Sequence, residues 1–243
     1  MARLPRFSIL GQTQHVIQRG NNRESIFVSE EDYVFYLEKL KDACQKYQCE
    51  IHAYALMTNH VHLLMTPYSE NGISKVMQTL GRYYVQYFNY QYRRTGTLWE
   101  GRYRATLLDS EQYLLICSRY IEMNPVRAKM VLDAAEYPWS SYRCNAMGET
   151  NLLITPHLIY KALANTDNER QLSYQFLFEN QMTELEIEEI RVATNKAWVL
   201  GNDRFREQIE KLTARQAKPK DRGGDRKSED FKSKSLKCIF ANF

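Results

Sequence analysis

Residues 50–67 of the chain read EIHAYALMTNHVHLLMTP, and this stretch decides the fold class. It contains two apolar runs of strand length, 50–57 and 60–66, joined only by Thr58 and Asn59. Two strand-length runs with a two-residue connection predict neighbouring antiparallel strands, and Pro67 stops the second one. The stretch therefore predicts a β-β unit.

A strand and a helix are predicted on each side of this β-β unit. Upstream, a Gly-Asn-Asn turn at 20–22 separates a strand from a helix that is opened by Ser29 and Asp32. Downstream, the apolar periodicity predicts a helix, a strand and a further helix that ends at Pro125. The predicted elements are strand 12–19, helix 31–46, strands 50–57 and 60–66, helix 72–92, strand 98–108 and helix 111–124.

The order β-α-β-β-α-β-α predicts an α+β protein. Elements in this order form an antiparallel sheet with helices packed on one face, the split βαβ or ferredoxin-like arrangement. Residues 137–160 predict irregular structure with a short helix, followed by amphipathic helical stretches near 171–196 and 202–216. We therefore expect a folded domain over 1–145, a helical extension over 146–216 and a disordered basic tail over 217–243.

The composition is that of an ordinary globular protein. Of 243 residues, 44% are hydrophobic and 26% charged, and the mean hydropathy is −0.57. No run approaches the roughly 18 apolar residues that a membrane helix needs, and the N-terminal sequence lacks the apolar segment of a secretory signal. The five cysteines form no CxxC pair, which favours reduced thiols over a disulfide framework or a zinc site. We therefore expect a cytoplasmic protein without a membrane partner.

Positive charge is concentrated in two segments. The net charge is +4, from 33 basic and 29 acidic residues, yet residues 211–237 alone hold ten basic and four acidic side chains. Residues 73–108 hold six Lys or Arg, one Glu and six tyrosines. Arginines interleaved with aromatic rings indicate a nucleic-acid partner, whose phosphates and bases they can contact. The alternative is a helix whose tyrosines are half-buried, with their hydroxyls at the surface.

His60 and His62 are candidate metal ligands. Residues two apart in a strand project from the same face, with Cα atoms about 7 Å apart. Two imidazoles on one face can share a divalent metal ion. The alternative is a pair of ordinary core or surface histidines.

Tyr120 and Asn124 are a second candidate pair. They lie four residues apart on the predicted helix 111–124, so the phenol and the amide share one side. A phenol beside an oxygen ligand suits a nuclease in which a metal polarises the scissile phosphate and the phenol oxygen attacks phosphorus. The alternative is structural: Asn124 before Pro125 would be an N-cap with a first-turn proline, and Tyr120 a half-buried tyrosine.

Five motifs follow one another along the chain: RGNNR (19–23), ALMTNHVHLL (55–64), LWEGRYR (98–104), RYIEMNPVRA (119–128) and YPWSSY (137–142). Taken together, they resemble the motifs of the single-tyrosine HUH (His-hydrophobic-His) endonucleases, specifically the REP-associated tyrosine transposases. They occur in the order of that family and cover about residues 5–145. Residues 150–243 lie outside the shared core.

The resemblance implies a ferredoxin-like catalytic domain over 1–145 that cleaves single-stranded DNA beside a hairpin during DNA transposition. It implies that His60 and His62 are metal ligands, Tyr120 the nucleophile and Asn124 the third ligand. Mixed nitrogen and oxygen ligation admits Mg²⁺ or Mn²⁺, although affinity order alone would also admit Zn²⁺ or Ni²⁺. Attack by Tyr120 would leave a 5′-phosphotyrosine and release a 3′-OH. No GxxxxGK[ST] loop for ATP is present in the sequence.

The expected partner is single-stranded DNA with hairpins, bound by a monomer or a homodimer. Such a protein would act in the cytoplasm at the nucleoid. For each predicted phosphate contact the alternative is a solvated surface arginine. The predicted DNA-binding residues are Arg19, Arg23, Arg82, Arg102, Arg104 and Arg127.

Two other functions are compatible with parts of the pattern. A βαββαβ sheet with exposed aromatics also resembles an RRM, a non-catalytic nucleic-acid-binding module, but no run matches its RNP1 motif. That function would also leave the His60/His62 and Tyr120/Asn124 pairs unused. An HUH replication initiator or relaxase would use the same chemistry, but the chain is short and has no helicase motif.

Overall fold

The structure of the protein, a computed structural model, describes residues 6–219. Four strands and nine α-helices follow one another within these residues. The strands are β1 (Gln14–Arg19), β2 (Cys49–Met57), β3 (His60–Pro67) and β4 (Arg104–Leu107). The helices are α1 (Glu30–Lys46), α2 (Gly72–Gln91), α3 (Ser110–Glu122), α4 (Asn124–Arg127), α5 (Tyr142–Met147), α6 (Leu158–Lys161), α7 (Asp167–Glu179), α8 (Glu184–Lys196) and α9 (Asp203–Thr213).

The four strands form one antiparallel sheet in the order β2-β3-β1-β4. Thr58 and Asn59 connect β2 to β3, while α1 and α2 form the two crossovers. β3 and β4 therefore flank β1, as the β-α-β-β-α-β order predicts for a ferredoxin-like sheet. The predicted α+β fold class is confirmed.

One face of the sheet carries the larger hydrophobic core. Val16, Val61 and Leu63 point to this face and pack with residues of α1 and α2, such as Leu40 and Leu80. A capping box begins α1, in which Ser29 bonds to the backbone of the buried Asp32 and the Asp32 side chain accepts from the Ser29 backbone. The two crossover helices are thereby fixed on the same side of the sheet.

The opposite face is covered by α3 and α8, so the prediction that helices lie on one face only is wrong. Ala53, Ala55 and Leu64 point to this second face and form a core with residues of both helices. The two alanines leave room for a helix to approach the backbone of β2 closely. Strand side chains alternate between faces, and both faces of β2 and β3 are apolar, so both must be covered.

The fourth strand is shorter than the predicted 98–108. Before β4 the chain contacts the end of β1 only at isolated positions, where Asn21 donates to the carbonyl of Leu98 and Glu100 donates to that of Arg19. The carbonyl of Tyr103 accepts from the Arg6 side chain instead of from the backbone of a neighbouring strand. Regular pairing therefore begins at Arg104.

The extension is helical, as predicted, but the stretch 171–196 is two helices. Asn180 is extended and ends α7, and Thr183 and Glu186 form a capping box that begins α8. The predicted tail over 217–243 lies outside the described residues, apart from 217–219. None of the helices within residues 6–219 has the length and apolar character required to cross a membrane.

Candidate active site

β3 presents the two predicted metal ligands on the sheet face that α3 covers. His62 lies opposite Ile17 of β1 and Ala55 of β2, and His60 lies at the start of the strand. Their ring centroids are 4.9 Å apart in an edge-on arrangement. The two-residue spacing therefore brings both imidazoles to one face, as predicted.

α3 brings Tyr120 over the same face. The helix begins at Asp109, whose side chain accepts from the Glu111 backbone. About three turns later the Tyr120 ring lies 5.9 Å from that of His62 and 5.8 Å from that of His15, edge-on to both. Tyr120 is 5% exposed. The predicted nucleophile and the histidine pair are thus neighbours, although 58 or more residues separate them in the chain.

Asn124 caps the C-terminal end of α3. Its Nδ2 donates to the carbonyls of Tyr120, at 3.0 Å, and Ile121, at 3.2 Å. Arg127 also donates to the Tyr120 carbonyl, at 2.5 Å. These side chains supply donors to carbonyls at the end of the helix, where backbone partners run out. Met123 is the N-cap of α4 and Asn124 its first residue, so Asn124 is not an N-cap, but it does end α3 and begin α4, as the structural alternative expects.

Burial keeps the histidines of this site neutral. Burial is the main cause that lowers the pKa of His15 to about 3 and that of His60 to about 4, helped by Arg127 and Arg19 respectively. Burial also holds the pKa of His62 well below its usual value, helped by the neighbouring His60, His15 and the two arginines. A neutral imidazole keeps a lone pair, which is what a metal ion requires of it.

Arg127 places a cation beside the predicted nucleophile. Its guanidinium lies 4.3 Å from the centre of the Tyr120 ring. Burial lowers the pKa of Arg127 to about 10, while the nearby Tyr120 opposes this shift. The side chain therefore remains positively charged at neutral pH.

The donor set fits a metal ion. Nδ1 of His60 bonds to Oδ1 of Asn59 at 2.6 Å, and Nδ1 of His62 bonds to His15 at 2.9 Å. Within residues 6–219, no protein group hydrogen-bonds to Nε2 of His60, Nε2 of His62 or Oδ1 of Asn124. Those residues contain no group of three His, Cys, Asp or Glu side chains that could hold a metal.

Three of the predicted DNA contacts line one cleft of ≈ 100 Å³ on this face. Arg19, Arg102 and Arg104 meet there, at the end of β1 and the start of β4. Nη1 of Arg104 donates to Oδ1 of Asn195 on α8, at 2.7 Å. Glu100 supplies an acidic group at the rim, so the cleft has an excess of positive charge.

Of the remaining predicted DNA contacts, Arg127 lies beside Tyr120, and the other two lie outside this cleft. Arg23 is exposed in the short 3₁₀ turn Asn21–Arg23 after β1. Arg82 is exposed on α2, which packs on the opposite face of the sheet, and it stacks on Tyr83. The structure therefore does not bring Arg82 together with Tyr120.

Sequence reasoning missed what α8 contributes. Thr194 bonds to Nδ1 of His15 at 3.1 Å, and Asn195 bonds to Arg104. Nothing in the sequence marks a threonine 179 positions from His15 as its partner. His15 itself lies fully buried against His62.

Comparisons with known proteins agree with this geometry. Residues 9–124 match the family model described as Transposase IS200 like. A solved REP-associated tyrosine transposase bound to a REP hairpin has the same fold, with a TM-score of 0.52 and 17% identity, over 65% of this chain and 93% of that chain. A crystal structure of a candidate transposase from Deinococcus radiodurans R1 matches at a TM-score of 0.35 and 22% identity, over 50% of this chain and 95% of that one, too weakly to support an inference.

No curated protein shows a significant sequence match. The matched segment of the family model contains His60, His62, Tyr120 and Asn124. The resemblance predicted from the motifs is thus confirmed by the family match and by the shared fold. Residues 9–124 of this chain, just under half of its length, are similar to the IS200-like transposase family.

Proposed function

We propose that this protein is a metal-dependent single-stranded DNA endonuclease and strand transferase that acts in DNA transposition. It cuts beside a hairpin through a 5′-phosphotyrosine intermediate on Tyr120. The observation that carries the proposal is the position of the Tyr120 ring, edge-on to His62 at 5.9 Å on the sheet face that also presents His60.

In the proposed reaction the phenol oxygen of Tyr120 attacks a backbone phosphorus atom. The bond between phosphorus and the 3′ oxygen breaks, and that oxygen takes up a proton and leaves as a 3′-OH. The phenol proton goes to solvent. The 5′ phosphate stays on Tyr120 as an ester that retains the bond energy, so a second 3′-OH can reverse the reaction and join strands without ATP.

His60, His62 and Asn124 would hold Mg²⁺ or Mn²⁺ through Nε2, Nε2 and Oδ1. When bound, the ion supplies Lewis-acid polarisation of the scissile phosphate. Arg127 adds positive charge beside Tyr120, which favours the negative charge that develops on the phenol and phosphate oxygens during attack. Its bond to the Tyr120 carbonyl keeps it there.

The proposed substrate is a single strand beside a hairpin. The arginine cleft lies on the same face as Tyr120, and guanidinium groups suit phosphates. The solved relative with the same fold was captured with a REP hairpin, which supports hairpin DNA as the ligand class here. We expect a monomer or homodimer that acts at the nucleoid in the cytoplasm.

The experiment uses the full chain with single-stranded oligonucleotides from the DNA that flanks its own gene, in Mg²⁺ or Mn²⁺. We expect a covalent protein–DNA adduct and a free 3′-OH fragment. Tyr120→Phe should form no adduct while DNA binding persists, because it removes only the attacking oxygen. Tyr113→Phe is the matched control on the same helix, since that hydroxyl bonds to Glu189 instead.

DNA binding without an adduct would favour the non-catalytic RRM-like function. Adduct formation that survives in Tyr120→Phe would exclude Tyr120 as the nucleophile.

A further inference from the structure

A chain of hydrogen bonds connects His62 to the helical extension. Nδ1 of His62 lies 2.9 Å from Nε2 of His15, and the two rings are stacked with centroids 5.2 Å apart. Nδ1 of His15 lies 3.1 Å from Oγ1 of Thr194, which in turn lies 2.7 Å from the carbonyl oxygen of Ile190. His15 and Thr194 are at most 1% exposed, so no water replaces these partners.

The bond from Thr194 to Ile190 determines which atom is the donor in each of the other hydrogen bonds. A carbonyl oxygen can only accept, so the Thr194 hydroxyl must donate to Ile190. Oγ1 of Thr194 is then the acceptor for His15, which therefore carries its proton on Nδ1. Because a neutral imidazole has one N–H, Nε2 of His15 is an acceptor, and the proton of the neutral His62 lies on Nδ1.

We propose that His15 and Thr194 are positioning residues that fix His62 in the tautomer with a free Nε2, the atom through which it would bind the metal ion. This inference rests on the metal-ligand role of His62 under the proposed function. His15 is not itself a ligand, because both of its ring nitrogens are committed. Metal-bound histidines commonly depend on such a partner at the second nitrogen.

Through Thr194, the helical extension takes part in positioning the proposed metal ligand His62. Thr194 belongs to α8, beyond the segment that matches the family model. Ile187 and Ile190 of the same helix pack on the face that carries His62. The packing of α8 therefore brings the Ile190 carbonyl, the last acceptor of these hydrogen bonds, to a site built by β1 and β3.

The first test uses the metal-free wild-type protein with ¹⁵N-labelled histidine. Long-range ¹H–¹⁵N spectra distinguish a protonated ring nitrogen from a free one. We expect His62 and His15 each to carry the proton on Nδ1, with a coupling across the bond from Nδ1 of His62 to Nε2 of His15. A proton on Nε2 of His62 would overturn the inference whether or not the protein binds metal.

The second test compares Thr194→Val, which removes the hydroxyl, with Thr194→Ser, which retains it. In Thr194→Val we expect a mixture of His62 tautomers and a loss of Mn²⁺ affinity of about tenfold by calorimetry. Thr194→Ser should behave as the wild type. Thr213→Val is the matched control, because Thr213 makes the same bond to the carbonyl four residues earlier on α9 without a histidine neighbour.

Unchanged tautomers and Mn²⁺ affinity in Thr194→Val would overturn the inference. Loss of affinity in both Thr194→Val and Thr194→Ser would also overturn it, because the hydroxyl would then not be the cause. A wild-type protein that binds no Mn²⁺ would contradict the proposed function but not the tautomer assignment, which the metal-free spectrum tests separately.

Discussion

Each proposed metal ligand is held by a neighbour through the atom it does not need for the metal. Asn59 bonds to Nδ1 of His60, and Asn124 uses its amide nitrogen to cap α3, which leaves its oxygen free. A side chain fixed in this way loses little conformational freedom when it binds an ion. The site is therefore organised before any ion arrives.

Replacing either histidine should abolish cleavage. His60→Ala and His62→Ala each remove one of three proposed protein ligands, so we expect Mn²⁺ binding by calorimetry to fall below detection and no adduct to form. His157→Asn is the control, because it keeps an N-capping side chain on α6 away from this site. Wild-type Mn²⁺ affinity in both alanine variants would show that His60 and His62 are ordinary structural residues and not metal ligands.

Arg104 should contribute to DNA affinity through phosphate attraction. In Arg104→Ala we expect weaker binding of every single strand tested, and a plot of log K against log salt flatter by about 0.7. Lys41→Ala serves as the charge-matched control, since α1 packs on the opposite face of the sheet. Equal salt dependence in Arg104→Ala and the wild type would show that Arg104 does not contact DNA phosphates.

At the scale of elements, α3 joins the active site to the rest of the molecule. Tyr120 contacts the histidines, while the fully buried Glu122 points to α5 and α7. Its carboxylate accepts from Ser141 at 2.5 Å, Asn145 at 2.8 Å and Tyr174 at 2.7 Å. One carboxylate therefore holds three elements together and fixes the orientation of the helix that carries Tyr120.

Glu122 should make stability depend on pH. Burial raises the pKa of Glu122 to about 7, against the three hydrogen bonds that lower it. Between its ordinary value of 4.5 and about 7, Glu122 is more protonated in the folded protein than in the unfolded chain, so its contribution to the free energy of unfolding falls as pH rises. The loss across this range is on the order of 3 kcal/mol.

Urea unfolding at pH 5 and pH 7.5 measures this effect. Buried histidines with lowered pKa values add stability as pH rises in all variants alike, so the effect of Glu122 is read as the stability of the wild type minus that of Glu122→Gln, whose side chain does not titrate. This difference should fall from pH 5 to pH 7.5, and Glu111→Gln, at an exposed position of the same helix, should follow the wild type. An equal difference at both pH values would show that Glu122 titrates as it does in the unfolded chain.

At the scale of the whole molecule, the segment after α9 is part of the folded body up to the last described residue. Ala217 donates to Glu210 at 2.7 Å and accepts from Val199 at 2.9 Å, and Arg215 lies over the Phe7 ring at 3.8 Å. A deletion that tests the basic tail must therefore begin after Pro219. Residues 220–243 hold seven basic and four acidic side chains, a net charge of +3.

Deletion of residues 220–243 should weaken binding of all single-stranded DNA to a similar degree. Lys and Arg side chains attract phosphates but do not distinguish bases, so hairpin preference and cleavage position should stay the same. The measurement is the salt dependence of affinity for a cognate hairpin and an unrelated strand. Loss of hairpin preference with unchanged general affinity would make this segment a specificity element instead.

The sequence by itself determined the features that depend on near neighbours in the chain. Alternation within a strand set His60 and His62 on one face. The order of strands and helices, with their connection lengths, was enough for the antiparallel sheet. These follow from backbone geometry, which a few consecutive residues determine.

Only the tertiary structure decided what depends on packing between distant segments. The cover of α3 and α8 on the second face, the bond from Thr194 to His15 and the pairing of Arg104 with Asn195 join residues far apart in sequence. An amphipathic pattern shows that α8 has an apolar side but not which surface buries it. Hydrophobic burial is non-directional, so shape and hydrogen-bond partners of the complete fold select the contact.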